Sequence, residues 1–227
     1  MSAGALRRLQ KVCVEATEAL SAIGVGVSVM TADGVHGMAA ASDPVTERIE
    51  ELQFTLGEGP CVDALVTSRP VLIPDINEEV LRRWPVYGPA VHKKGIRAVF
   101  AFPLQVGAVR LGVLDVFRIH AGQLSRKQIG QAFQFAEHAV TTLLDGQDQS
   151  RDDRELDDAI ESRAALYQAQ GMVMVQLGVS LTEAMVRLRA HAYAEDRPLS
   201  AVAADVVARR LRFDSPQPGD SHDDRIR

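Results

Sequence analysis

Apolar residues at Leu6, Leu9, Val12, Cys13, Ala16 and Leu20, with charges between them, follow the spacing of one helix face, which predicts a helix over residues 5–22. Ala22–Met30 is rich in Gly and Val and predicts a strand. Ala32-Asp33-Gly34 supplies a turn, and His36–Ala41 is the return strand of a hairpin. Ser42-Asp43-Pro44 opens a helix whose apolar side holds Ile49, Leu52 and Leu56. Gly57-Glu58-Gly59-Pro60 then breaks the chain. Cys61–Thr67 predicts a short helix, and Val71-Leu72-Ile73 a strand stopped by Pro74. Trp84-Pro85 begins an irregular stretch before a helix over Tyr87–Lys94.

Ala98–Leu104 and Leu111–Phe117 are nearly all apolar, as central strands covered on both faces are. Ser125 starts a long helix with a heptad seam at Ile129, Phe133, Ala136, Val140 and Leu143, able to face a partner helix or the sheet. A second seam runs through Leu156, Ile160, Arg163, Tyr167, Gln170, Met174 and Leu177, one residue out of phase with the first. The break between them marks the domain boundary. Beyond it everything reads as helix. Gly178 closes the first helix, and Ser180-Leu181-Thr182-Glu183 is a capping box in which Ser180 and Glu183 satisfy each other's backbone. Leu181, Ala184, Met185, Leu188 and Ala192 form the next apolar stripe. Leu199, Val202 and Val206 form a third, with Pro198 near its start.

The expected architecture is α+β: a sensor-like unit over residues 1–145, an acidic helical linker over 146–158, a three-helix bundle over 159–213 and a disordered tail over 214–227. Charge changes this picture in one respect. The chain carries a net charge of −5, which argues against coating nucleic acid by charge alone. Residues 1–144 hold 14 positive and 14 negative charges, while 145–158 hold 2 and 7. Residues 159–213 hold 7 and 5, and all seven cations are Arg. Arg pairs with phosphate and stacks on bases better than Lys does, so this bundle reads either as a nucleic-acid module or as helices with solvated Arg faces and core tyrosines. Tyr167 and Tyr193 are candidate stacking partners.

Two Cys, Cys13 and Cys61, make no disulfide framework and point to a reducing cytoplasm. No apolar run is long enough to span a bilayer. No catalytic constellation, phosphate cradle or metal-ligand spacing emerges, so neither catalysis nor a metal is expected. The Gly57–Pro60 loop is either a close-approach site for a ligand or a tight connection between two helices.

Residues 5–145 resemble a GAF sensor domain. The resemblance is carried by Ser42-Asp43-Pro44, Leu52-Gln53, Gly57-Glu58-Gly59-Pro60-Cys61, Arg69-Pro70-Val71, Arg83-Trp84-Pro85, Pro103-Leu104 and Leu111-Gly112-Val113-Leu114-Asp115. Residues 155–213 resemble an ANTAR domain through Gln168-Ala169-Gln170-Gly171-Met172-Val173-Met174, Ala184, Leu188-Arg189, Ala192 and Leu199 through Val202-Ala203. The pairing resembles actinobacterial GAF–ANTAR antitermination regulators. It implies a GAF-like antiparallel sheet with flanking helices, a homodimer, and binding to structured RNA with paired hairpins. The RNA-facing candidates are Arg163, Gln168, Gln170, Arg187 and Arg189. In the sensor unit Cys61 and Trp84 are the ligand candidates, for a small molecule whose class no residue identifies. Many relatives have Ala-Lys-Gly where this chain has Ala169-Gln170-Gly171, so a charge is exchanged for a neutral hydrogen-bonding group. The alternatives are a protein-interaction module without RNA and a redox enzyme of the methionine sulfoxide reductase type, for which Cys13 and Cys61 are poorly placed.

Overall fold

The computed structural model describes residues 3–30, 36–148 and 154–213, with the side chains of 3, 36, 146–148 and 154–164 left aside. The expected turn at Ala32–Gly34, much of the acidic linker, the tail from Asp214 and the side chains of Leu156, Ile160 and Arg163 lie outside the described residues. The chain divides into two compact units, residues 1–159 and 160–227.

The first unit is built on a five-stranded sheet: β1 (Gly24–Met30), β2 (His36–Ala41), β3 (Val71–Ile73), β4 (Ala98–Val106) and β5 (Val109–Arg118). Their order is β2-β1-β5-β4-β3, and every neighbouring pair is antiparallel. The strand period of two divides the side chains between two faces. On one face Val25, Val27, Phe100, Phe102, Leu104, Leu114 and Val116 form a core with α1 (Ala3–Ala19) and α6 (Arg126–Asp148). The opposite face carries Val99, Ala101, Val113 and Phe117. They are covered by α2 (Pro44–Leu56), α3 (Pro60–Thr67), α4 (Glu78–Arg83) and α5 (Tyr87–Lys93).

Local chemistry fixes these helices. Asp43 caps α2 by accepting from the Val45 and Thr46 amides at 2.8 and 3.0 Å. Burial tends to raise its carboxyl, but the Thr46 hydroxyl, which donates at 2.6 Å, together with the Thr46 amide, the Ser42 hydroxyl and the Val45 amide, holds it below the ordinary range. Asn77 caps α4 in the same way, accepting from Glu79 and Val80 at 3.0 and 3.2 Å. The helix α4 lies between Pro74 and Trp84, where the sequence pattern predicts no element. At six residues it is too short to show a periodic face.

The α6 seam is rotated from the expected one. Ala132, Ala136, Ala139 and Leu143 are buried, whereas Phe133 is 44% exposed and touches Phe102 edge-on. α6 packs against both α1 and the sheet, and small side chains on its buried stripe permit a close approach.

The second unit contains α8 (Leu181–Ala194), α9 (Leu199–Val207) and all but the first six residues of α7 (Arg154–Leu177). Its α7 seam is also shifted: Leu166, Ala169 and Val173 are buried, while Tyr167 is exposed. The buried stripe lies on the side from which Gln170 and Gln176 reach the following segments. Ala184, Leu188, Ala192, Leu199, Val202 and Val206 are buried as the spacing of the last two helices predicts, and Ala203 is buried with them. Leu181 is exposed instead, because it stands in the first turn of α8. Ser180 accepts from the Glu183 amide at 3.2 Å, but the Glu183 carboxylate holds Arg187 at 2.9 Å rather than the cap backbone. Among the described residues no single helix is long and apolar enough to cross a membrane.

Candidate functional site

Each unit presents one arrangement that its own packing does not explain. In the first unit it is a buried polar cluster on the α2–α5 face. Gly26 of β1 stands opposite Asp115 of β5. A Cβ on Gly26 would lie 2.5 Å from Glu50 Oε1, so the missing side chain is what admits Glu50 to the sheet. Ser28 and Gln53 donate to Glu50 Oε2 at 3.1 and 3.4 Å. Gln53 Oε1 accepts from the Cys61 amide at 2.8 Å, which fixes the start of α3.

The loop from Gly57 to Pro60 assembles this region. Gly57 ends α2 with φ 68°, and Gly59 has φ 132°, a backbone that residues with a Cβ rarely adopt. Glu58 Oε1 accepts from the Val86 and Tyr87 amides at 2.7 and 2.6 Å, placing α5. Within this unit, then, the loop serves as a connection that positions Cys61 and Tyr87.

One oxygen of Glu50, both oxygens of Asp115 and the hydroxyl of Tyr87 are buried with no hydrogen-bond partner. The ligand atoms of Glu50, Cys61 and Asp115 all lie within 4.8 Å of one another. Burial pushes the Asp115 carboxyl up to about 7. Burial, reinforced by Asp115, raises Glu50 well above its ordinary value. The same burial, with the charges of Asp115 and Glu50, raises both the Cys61 thiol and the Tyr87 phenol. Burial thus favours the protonated forms of two acids and a thiol held side by side, and the groups around Asp115, namely Cys61, Glu50 and Gln53, act on its carboxyl in the opposite sense.

The expected candidate Cys61 belongs to this cluster. Trp84 does not: it is 3% exposed and packs edge-on against Tyr87, at 6.3 Å between ring centroids. Glu50, Asp115 and Tyr87 were not among the expected site residues. The signal available was Asp115 itself, an acid inside an otherwise apolar strand. Cys13 and Cys61 lie in the cores on opposite faces of the sheet. Burial pushes the Cys13 thiol up to about 12.

In the second unit the feature is a groove of about 480 Å³ lined by Gln168, Gly171, Met172, Val175, Gln176, Arg209 and Arg212. Two local choices there run against intrinsic preference. Gly171 sits inside α7, and a Cβ added to it would meet nothing within 4 Å. Arg209 follows α9 with φ 58°, a left-handed conformation that glycine usually fills.

The expected RNA-facing residues separate. Gln168 lines the groove. Gln170 donates to the Leu181 carbonyl at 2.8 Å and ties α7 to α8. Arg187 is paired with Glu183. Asp205 holds both Arg197 and Arg210, and these bonds keep its carboxyl below the ordinary range. Among the described residues Arg189, Arg209 and Arg212 enter no ion pair. Burial pulls the Arg189 guanidinium below its ordinary value and leaves its Nε without a partner.

An antiparallel sheet covered by helices on both faces, followed by a separate all-helical unit, places the chain in the α+β class. The chain belongs to the GAF domain family, whose pattern matches residues 6–144, and it carries an ANTAR domain over residues 154–207. GAF is a small-molecule sensing domain, and ANTAR is an RNA-binding antitermination domain.

The first unit has the fold of a GAF domain from Synechocystis sp. PCC6803 solved in its photoproduct state. That domain is 17% identical, with 64% of this chain and 98% of that one covered, at a TM-score of 0.51. The GAF domain of a phosphoenolpyruvate-protein phosphotransferase from Coxiella burnetii is 16% identical, with 65% and 87% covered, also at 0.51. A free methionine-R-sulfoxide reductase from Thermoplasma acidophilum is 18% identical, with 61% and 92% covered, at 0.48. No curated protein matches the chain.

Proposed function

We propose that this protein is a signal-responsive, non-enzymatic regulator of transcription antitermination, in which the state of the sensor unit governs how two copies of the helical unit meet a two-hairpin RNA in the cytoplasm. The observation that carries the reading is the groove at Gly171. It joins two guanidinium groups that enter no ion pair among the described residues, Arg209 and Arg212, to the amides of Gln168 and Gln176 and the apolar surface of Met172 and Val175. Arg forks suit phosphate oxygens, the glutamine amides suit base edges, and the apolar floor suits an unstacked base. A net charge of +2 over residues 159–213 is too small for tight non-specific binding, so shape and specific contacts carry the recognition.

Dimerisation is supported by α6. Its buried face is occupied within the unit, yet Phe133 and Leu144 remain exposed, with the half-buried Val140 between them at heptad spacing. The non-enzymatic part rests on the cysteines. Both are buried, both are raised toward the thiol form, and they lie on opposite faces of the sheet, so they form no nucleophile-and-resolver pair.

The test is fluorescence anisotropy of the full chain with a two-hairpin RNA and with a shuffled control. Arg209→Ala with Arg212→Ala is expected to weaken hairpin binding at least tenfold and to lower the salt slope by about two. Unchanged binding by a folded double variant sinks the groove assignment. No RNA binding by the wild type leaves the protein-interaction reading in its place.

A further inference from the structure

The buried cluster of the sensor unit has a consequence separate from RNA binding. From the convergence of Glu50, Cys61 and Asp115 we infer that the sensor unit binds one divalent transition-metal ion, of the zinc class, through one carboxylate oxygen of Glu50, the sulfur of Cys61 and a carboxylate oxygen of Asp115.

The geometry supports the size of the ion. Three atoms no more than 4.8 Å apart all lie within about 2.8 Å of a common centre. Zinc bonds run at about 2.0–2.3 Å, so side-chain movements of under about 1 Å close the site. The donor set selects the kind of ion: a thiolate with two carboxylates favours a transition metal over calcium or magnesium.

The surrounding hydrogen bonds leave the right atoms available. Ser28 and Gln53 engage Oε2 of Glu50, and it is Oε1 that has no partner. Gln53 also fixes the Cys61 backbone, so one side chain orients two of the three ligands. Gly26 contributes the space in which Glu50 sits.

An independent sign comes from Tyr87. It is 1% exposed in the core on the same face of the sheet as Cys61, and its hydroxyl has no hydrogen-bond partner among the described residues. Buried carboxylate oxygens left without a partner, here Glu50 Oε1 and both oxygens of Asp115, are costly, and a divalent ion bound by them offsets that cost directly. Three protein ligands leave a fourth position for water, the Tyr87 oxygen or a signal molecule.

The rival resolution is a proton shared between Glu50 and Asp115. Cobalt distinguishes the two. The full chain is stripped with chelator, then titrated with Co²⁺ or refolded in its presence, because the site is buried. The expected result is a thiolate-to-cobalt charge-transfer band that saturates at one ion per chain and is bleached by Zn²⁺. Cys61→Ser is expected to remove the band while Cys13, on the opposite face, remains. Glu50→Gln, which keeps the shape, is expected to weaken cobalt binding at least tenfold. Absence of a band from folded wild type under both loading conditions overturns the proposal, as does a band that survives Cys61→Ser. If either variant loses its circular-dichroism fold, Asp115→Asn takes its place, with the same expected loss of cobalt. None of these readouts involves RNA, so failure here and failure of the RNA reading are distinguishable.

Discussion

Replacing Gly171 by Ala sets folding against RNA binding. In the structure a Cβ at this position meets nothing within 4 Å, so no neighbouring atom resists the methyl group. Glycine inside a helix costs about 1 kcal/mol relative to alanine, through backbone entropy in the unfolded chain. The variant should therefore stabilise the helical unit by about 0.5–1 kcal/mol. For a domain of this size about 1 kcal/mol moves the melting temperature by roughly 4–8 °C when the unit unfolds on its own. RNA binding should move the opposite way. If the RNA backbone closes on the bare Cα, the added methyl must displace it. A misfit methylene in a packed contact costs about 1–3 kcal/mol, or roughly 5–150-fold in affinity. Differential scanning calorimetry and anisotropy on one preparation measure both quantities. A rise in stability with unchanged RNA affinity refutes the groove as the contact surface. A fall in stability refutes the reading of open space around Gly171.

The same substitution at Gly26 should have the opposite effect on folding, because its Cβ would lie 2.5 and 2.6 Å from Glu50 Oε1 and Cγ; urea unfolding is expected to show a loss of about 2 kcal/mol. Glu58→Ala removes the acceptor for the Val86 and Tyr87 amides and should cost about 1–2 kcal/mol in the same assay. Ser180→Ala should cost the helical unit about 1 kcal/mol by thermal melting. In chelator-treated protein, Asp115, raised to about 7 by burial, and Glu50, raised likewise, take up protons on folding. Their contribution is full below the unfolded carboxyl range, about pH 4, and is lost as pH rises through about 7. The unfolding free energy from urea titration should therefore fall between about pH 5 and 7, by up to ~1.4 kcal/mol per pH unit for each proton, and Asp115→Asn should remove the share of that slope that Asp115 carries.

Gly26, Gly57, Gly59 and Gly171 look alike in the sequence but do different things in the structure. Gly57 and Gly59 break the chain by their local conformation, and a Gly-Glu-Gly-Pro run announces that without any tertiary information. Gly26 matters because Glu50 of another element leans over it, and Gly171 because nothing does. Neither fact exists until the elements have packed. The helix seams carry the same lesson. Apolar spacing found the long helices, yet the buried stripe was rotated to Ala132, Ala136, Ala139 and Leu143 in one and to Leu166, Ala169 and Val173 in the other. Hydrophobicity alone ranks Phe133 and Tyr167 above alanine, whereas close helix approach selects the small residue.

What the sequence determined by itself was local or periodic: the strands, most helices, their caps, the division into an α+β unit and a helical one, and the confinement of acid to residues 145–158. Those features depend on near neighbours along the chain, so spacing reports them. The tertiary structure decided the sites. Glu50, Cys61 and Asp115 come from α2, α3 and β5, and no spacing rule links positions that distant. It likewise decided which arginines are available, because Glu183 and Asp205 take Arg187, Arg197 and Arg210 and leave Arg209 and Arg212 beside the groove. A charge in the sequence becomes available to a partner only after the fold has settled which charges neutralise one another.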